Sequence, residues 1–161
     1  MRKKNFINGE EYCCDDNSDV PQDRRWCQIP DYLDITFYRC DICGQIMATI
    51  GEQANPLSCC GQEMTLLHAD TVDASIERHV PVYRRMGHKI TVQVGEIEHP
   101  MTEDHHIEWI CMVTCCGIQW KPLPINGTSD TTFRIKGSED VLAIYSYCNL
   151  HGLWKGVRMD E

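Results

Sequence analysis

Apolar and polar residues alternate in short runs along most of this chain. In Ile90-Thr91-Val92-Gln93-Val94 every second residue is apolar, the period of a strand with one buried face. Within 107–113, Ile107, Trp109, Cys111 and Val113 fall on one face, and 131–136 and 141–148 behave similarly. Gly, Pro, Asn and Asp turns separate these runs, and no long segment carries a 3.6-residue period. Residues 75–161 therefore predict a mainly β unit, an antiparallel sandwich. Residues 35–67 predict a smaller, turn-rich module, with runs at 36–39 and 45–50 set apart by Gly44, Gly51 and Gly61. A core that small needs a structural metal. Residues 1–34 form an acidic leader with Asp15, Asp16, Asp19, Pro21 and Pro30. Little regular structure is expected there beyond one short helix or turn. No internal repeat or low-complexity tract is visible.

Net charge is −9 over 161 residues. That argues against general nucleic-acid binding, which needs clustered Lys and Arg. No run approaches the roughly 20 apolar residues of a membrane helix. Residues 1–10 are polar and lack the apolar stretch of a signal peptide, so a cytoplasmic protein is expected. Its 11 cysteines then point to metal ligation before disulfides.

Two cysteine pairs carry the first candidate site. Cys40 and Cys43 form a Cys-x2-Cys turn next to Gly44, and Cys59 and Cys60 follow. Four thiolates suit a tetrahedral iron or zinc, and the spacing does not choose between them. Neighbouring side chains in an extended strand point apart. Cys59 and Cys60 can therefore share one ion only if the backbone bends there, helped by Gly61, and the tetrahedron is expected to be distorted.

The second constellation lies in the sandwich. It runs Glu77-Arg78-His79-Val80-Pro81, then His99-Pro100-Met101-Thr102-Glu103-Asp104-His105, then Cys148-Asn149-Leu150-His151-Gly152-Leu153-Trp154-Lys155. Cys148 and His151 stand three apart at a strand end, where both can turn to one ion. Pro81 and Pro100 fix the backbone beside two of the histidines. His106 raises a question of register, which the six-residue spacing from His99 decides for His105. His68 and His88 read as surface residues.

With these motifs in this order, segments 35–67 and 75–155 resemble desulfoferrodoxin, the two-iron superoxide reductase family, over about three quarters of the chain. The resemblance implies a rubredoxin-like or desulforedoxin-like iron module held by Cys40, Cys43, Cys59 and Cys60. It implies an immunoglobulin-like sandwich carrying a second iron. Four equatorial imidazoles (His79, His99, His105, His151) and an axial Cys148 thiolate would hold that iron. The implied reaction combines superoxide, one electron and two protons to give hydrogen peroxide, without release of O2. A rubredoxin-like donor and a homodimer are implied as well. Ferrous iron with a single thiolate leaves a locally positive site, which attracts superoxide despite the acidic chain. In the family a glutamate at the position of Glu77 closes onto the oxidised iron. The family's usual lysine is Arg78 here, which keeps the steering charge but is a poorer proton donor.

Two rivals belong to other classes. In a non-catalytic electron carrier only the first iron would work. A structural module would carry zinc, which has no redox chemistry, and would be colourless. Cys13, Cys14, Cys27, Cys111, Cys115 and Cys116 have no place in either site. Free thiols are their plainest reading, with reversible disulfides or a third metal site as alternatives.

Overall fold

A computed structural model describes residues 5–7, 10–12, 35–51, 55–70, 76–136 and 139–158. Near the start, β1 (Asn5–Ile7) pairs antiparallel with β2 (Glu10–Tyr12), Asn5 facing Tyr12. The regular element found there is thus a short ribbon and not a helix, and the rest of 1–34 lies outside the described residues. The ribbon is too short to show a period that composition could reveal.

The small module holds three antiparallel strands in the order β4–β3–β7, where β3 is Ile35–Arg39, β4 Ile46–Ile50 and β7 Thr65–Leu67. A two-residue ladder, β5 (Ser58–Cys59) with β6 (Gln62–Glu63), lies between β4 and β7 in sequence. Only Phe37, Cys40 and Met64 are buried hydrophobics in 35–67, among the described residues. That is too little to close a core at roughly 1.5–3 kcal/mol per buried side chain.

The larger unit is the predicted sandwich. It opens with one helical turn, α1 (Ile76–His79), which ends before Pro81 because a residue preceding proline disfavours the helical region. One sheet has the order β12–β9–β8–β15, with β8 Pro81–Met86, β9 Lys89–Val94, β12 Asp130–Arg134 and β15 Val157–Arg158. The other has the order β11–β10–β13–β14, with β10 Ile107–Thr114, β11 Gly117–Pro122, β13 Val141–Cys148 and β14 Gly152–Lys155. Every pairing is antiparallel except β15 with β8. Ile90, Val92 and Val94 point inward as their alternation predicts, meeting Ile110, Met112, Phe133 and Ile144 between the sheets.

The face predicted for 107–113 holds only in part. The β10–β13 register shifts between Ile107 and Trp109, a bulge that turns Ile107 into the inter-sheet core. Trp109, Cys111 and Val113 face outward, and the small module covers them. Phe37 packs there with Tyr147 and Leu153, and Ile35, Ile46 and Leu67 pack against this cluster. The outer face of one sheet thus supplies the core that the module lacks.

Candidate metal centres

Four segments bring five donors together. His79 ends α1, His99 and His105 lie on the loop between β9 and β10, Cys148 ends β13, and His151 sits in the turn to β14. One donor atom from each lies within 4.8 Å of all the others. His79, His99 and Cys148 are buried, while His105 and His151 are half-buried.

The rings are arranged as a near-square. Successive centroids are 4.7 Å (His79–His99), 4.5 Å (His99–His105), 4.9 Å (His105–His151) and 4.5 Å (His151–His79) apart, with planes 76–79° from each other. Across the square, His79 and His105 are 6.0 Å apart and 27° from parallel. The Cys148 sulfur joins this group, 3.6 Å from Nδ1 of His151.

The polar atoms fit a metal. Nδ1 of His99 lies 2.6 Å from the Pro100 carbonyl, which can only accept, so this nitrogen carries the proton and Nε2 keeps its lone pair. The Nε2 atoms of His99 and His105 are buried with no hydrogen-bond partner among the described residues. Each would cost about 1–3 kcal/mol if left so, and a metal removes that cost. Burial lowers the His99 pKa to about 4 and, with the charges of His151 and His79, lowers His105 as well. Both rings are thus held in the neutral form that ligation requires. Burial pushes the Cys148 thiol up, so a cation arriving there displaces its proton.

The surrounding contacts fix the donors. Asn149 Oδ1 accepts from the His106 backbone N–H at 2.9 Å, and its Nδ2 donates to the Asp104 carbonyl at 3.0 Å. This clips the histidine loop to the Cys148–His151 turn. The ring of His106 turns to the Thr102 carbonyl, 2.9 Å from Nδ1, so His105 is the member of the pair that joins the square. In the sequence, Asn149 and Trp154 fall within the motif 148–155 without a role of their own. Arg78 is half-buried beside His79, its Nη1 3.4 Å from the Glu98 carbonyl. Glu77 shares the helical turn, and its side chain lies outside the described residues. His68 and His88 are exposed and outside the group.

Cys40, Cys43, Cys59 and Cys60 form the second group. Sulfurs of Cys43 and Cys59 are 3.7 Å apart and those of Cys59 and Cys60 3.8 Å. Four thiolates about 2.3 Å from a tetrahedral ion stand about 3.8 Å apart, so the spacing already fits one. The bend needed at the adjacent pair is present, since Cys60 has φ +52° and Gly61 φ +78°. The Cys43 N–H lowers Cys40 to about 7, while hydrogen bonding to Cys40 and Cys43 pushes Cys59 up to about 12. Protons here are shared among crowded sulfurs that one cation would replace.

Cys111 is a free, buried thiol. Cys115 and Cys116 are disulfide-bonded, which corrects their reading as free thiols. They are not bonded to each other, because their sulfurs are 3.7 Å apart. Spacing in a single sequence does not pair cysteines. Cys13, Cys14 and Cys27 lie outside the described residues.

A desulfoferrodoxin profile matches residues 71–157, and a profile of the desulfoferrodoxin N-terminal domain matches 34–67. The chain is 39% identical over 117 residues to a desulfoferrodoxin homologue of Methanothermobacter thermautotrophicus, covering 73% of this chain and 94% of that one. It is 39% identical over 119 residues to desulfoferrodoxin of Nitratidesulfovibrio vulgaris, covering 73% and 92%. A superoxide reductase from Treponema pallidum overlays with a TM-score of 0.69 and 31% identity, over 77% of this chain and 98% of that one. These similarities extend across both donor groups, and the chain belongs to the desulfoferrodoxin family.

Proposed function

We propose that this chain is an iron-dependent superoxide reductase, with its reaction at the five-donor site. The observation that carries this reading is the near-square of His79, His99, His105 and His151 with a donor atom of each, and the Cys148 sulfur, all within 4.8 Å of one another. Iron bound there supplies one electron to superoxide and is reloaded from outside. Ligation by imidazoles and a single thiolate would leave ferrous iron positive toward an anion. Cys148 would lend thiolate electron density to an iron held there, as thiolates do at haem iron.

Arg78 provides a fixed positive charge beside His79 that attracts superoxide and orients it. A guanidinium is a poor proton donor, so the two protons of the product would come from solvent. Glu77, on the same turn, would offer a carboxylate to the iron once oxidation has added a positive charge. Cys40, Cys43, Cys59 and Cys60 hold the other iron. A rubredoxin-like protein is the external donor, the chain acts as a homodimer, and its setting is the cytoplasm.

Pulse radiolysis of the reduced, anaerobic protein tests the reading. A superoxide burst is expected to give a fast transient that decays to a ferric thiolate band, with one peroxide per superoxide and no O2. An iron-loaded protein whose spectrum stays unchanged would refute it, as would native protein that carries only zinc.

A further inference from the structure

The tip of the β10–β11 hairpin carries two cysteines that neither donor group uses. Thr114 faces Gly117 across the ladder, so Cys115 and Cys116 make up the whole turn. Both are disulfide-bonded, and with sulfurs 3.7 Å apart they are not bonded to each other. Cys40, Cys43, Cys59, Cys60, Cys111 and Cys148 are free. Of the 11 cysteines in the sequence, this leaves Cys13, Cys14 and Cys27 as partners within the chain. These three lie in the leader, outside the described residues. The turn is therefore tied to the leader by two separate bonds.

The two bonds differ in their surroundings. Cys115 is buried, at 6% exposure, whereas Cys116 is exposed. Cys115 is also clamped to the loop before β13. Its N–H donates to the Asp140 carbonyl at 3.0 Å, and the Asp140 N–H donates to its sulfur at 3.3 Å. The turn itself is held from beneath. The Cys116 N–H donates to Thr114 Oγ1 at 3.2 Å, and that hydroxyl donates to the buried Glu139 carboxylate. Exchange of a disulfide requires a thiolate to reach one of its sulfurs, which is open at Cys116 and obstructed at Cys115. Thiolate metal sites and a free Cys111 belong to reducing surroundings, where disulfides are transient or redox-sensing. The eight residues of β10 place the turn roughly 25 Å from the histidine end of that strand, so it is no part of the five-donor site.

We propose that the Cys115–Cys116 turn is a thiol–disulfide switch that anchors the leader and is opened in two stages by a dithiol reductant. The Cys116 bond opens first. A thiolate of the reductant attacks it to form a mixed disulfide, and the reductant's second thiol then closes on the first. One S–S bond breaks in the protein and one forms in the reductant, while two electrons and two protons pass to the protein sulfurs. The Cys115 bond opens by the same exchange, more slowly, and the leader is released from the hairpin. A disulfide oxidant reverses both steps. The switch does not depend on the superoxide reductase reading.

The test uses the full, iron-loaded chain equilibrated with glutathione disulfide. Digestion without reductant, read by mass spectrometry, is expected to give the peptide holding Cys115 and Cys116 joined to peptides from 1–34. Finding both as thiols, bonded to each other, or carried by glutathione or a second molecule overturns the anchor. Timed exposure to dithiothreitol then reads the order, with acid quenching and alkylation in denaturant. Label is expected at Cys116 about tenfold faster than at Cys115, and equal rates overturn the two-stage opening. Single variants isolate each bond: Cys116→Ser should leave a slow one and Cys115→Ser a fast one. Should Cys115→Ser fail to fold, the timed labelling of the parent protein decides. Iron content should stay constant as the turn opens. Iron lost in step with the labelling means that the reductant has disrupted the whole chain, and the switch falls.

Discussion

Trp154 lies flat against His79, with ring centroids 4.9 Å apart and planes 21° from parallel. Its cross-strand partner Ser146 donates from Oγ to the His79 carbonyl at 3.2 Å. One rung of the β13–β14 ladder thus holds this histidine by both ring and backbone. Loss of such a support typically weakens metal affinity about tenfold to a hundredfold. Trp154→Phe keeps a flat ring and should retain most of the iron at the five-donor site. Trp154→Ala should lose it to a chelator and also lower stability by about 3–5 kcal/mol. The four-cysteine iron of the same molecule serves as the internal control. Equal retention at both sites in Trp154→Ala would show that the stack has no bearing on His79.

Gly95 is the close approach that lets the histidine loop leave β9. It has φ +81°, and a Cβ there would stand 2.6 Å from the Arg78 carbonyl oxygen and 2.5 Å from that of Ile97. Both neighbours are backbone and cannot swing aside. Gly95→Ala therefore displaces the α1 segment with Arg78 and His79, or the start of the loop that carries His99. We expect about 1–3 kcal/mol of destabilisation from backbone strain alone, together with reduced iron at the five-donor site. Thermal unfolding and metal analysis read the two effects. A variant with unchanged melting and full iron content would mean that the loop yields freely.

The strands and donors that could be read in the sequence are those with a local signature. Ile90, Val92 and Val94 alternate because one face of β9 is wet, and the Cys148–His151 spacing needs only a strand end and a turn. His105 was separable from His106 because adjacent residues point apart. Long-range features left no such trace. The bulge at Ile107 adds one residue without any compositional mark, so it reversed the face assigned to that residue. The docking of Phe37 on Trp109 pairs two hydrophobic residues that either unit could have buried alone. Asn149 carries no distinguishing mark within its motif, and only the fold shows that it clips two segments. Cys115 and Cys116 differ from a ligand pair such as Cys59 and Cys60 only in their surroundings.

Cys111 tests whether the small module covers the sheet in solution. It is fully buried among Phe37, Trp109 and Tyr147, and burial pushes its thiol up to about 12. Alkylation proceeds through the thiolate, so iodoacetamide at mildly alkaline pH should leave Cys111 unmodified in the native protein. Denaturant should expose it. Peptide mass spectrometry before and after unfolding gives the comparison. Rapid native labelling would show that the module lifts off the sheet. Cys111→Ser should cost about 1–3 kcal/mol by placing a hydroxyl in an apolar contact.

The metal-free protein should lose stability on mild acidification because of its histidines. His99 has a pKa of about 4 in the folded protein, lowered chiefly by burial, against about 6.5 in an unfolded chain. Above 6.5 the ring is neutral in both states and acid has no leverage. As the pH falls from 6.5 toward 4, the unfolded chain takes up a proton that the folded ring refuses. The equilibrium therefore shifts toward unfolding. His105, lowered in the same direction by burial and by its histidine neighbours, adds to the effect. Urea midpoints of the metal-free protein should fall between pH 7 and pH 5, and the fall should be smaller in His99→Gln, which cannot take up the proton. Carboxylates respond to acid in both proteins alike, so the difference between the two slopes isolates the histidine. Parallel slopes would mean that His99 is already protonated in the empty site, and the argument that its buried Nε2 keeps a free lone pair for a metal would fail with it.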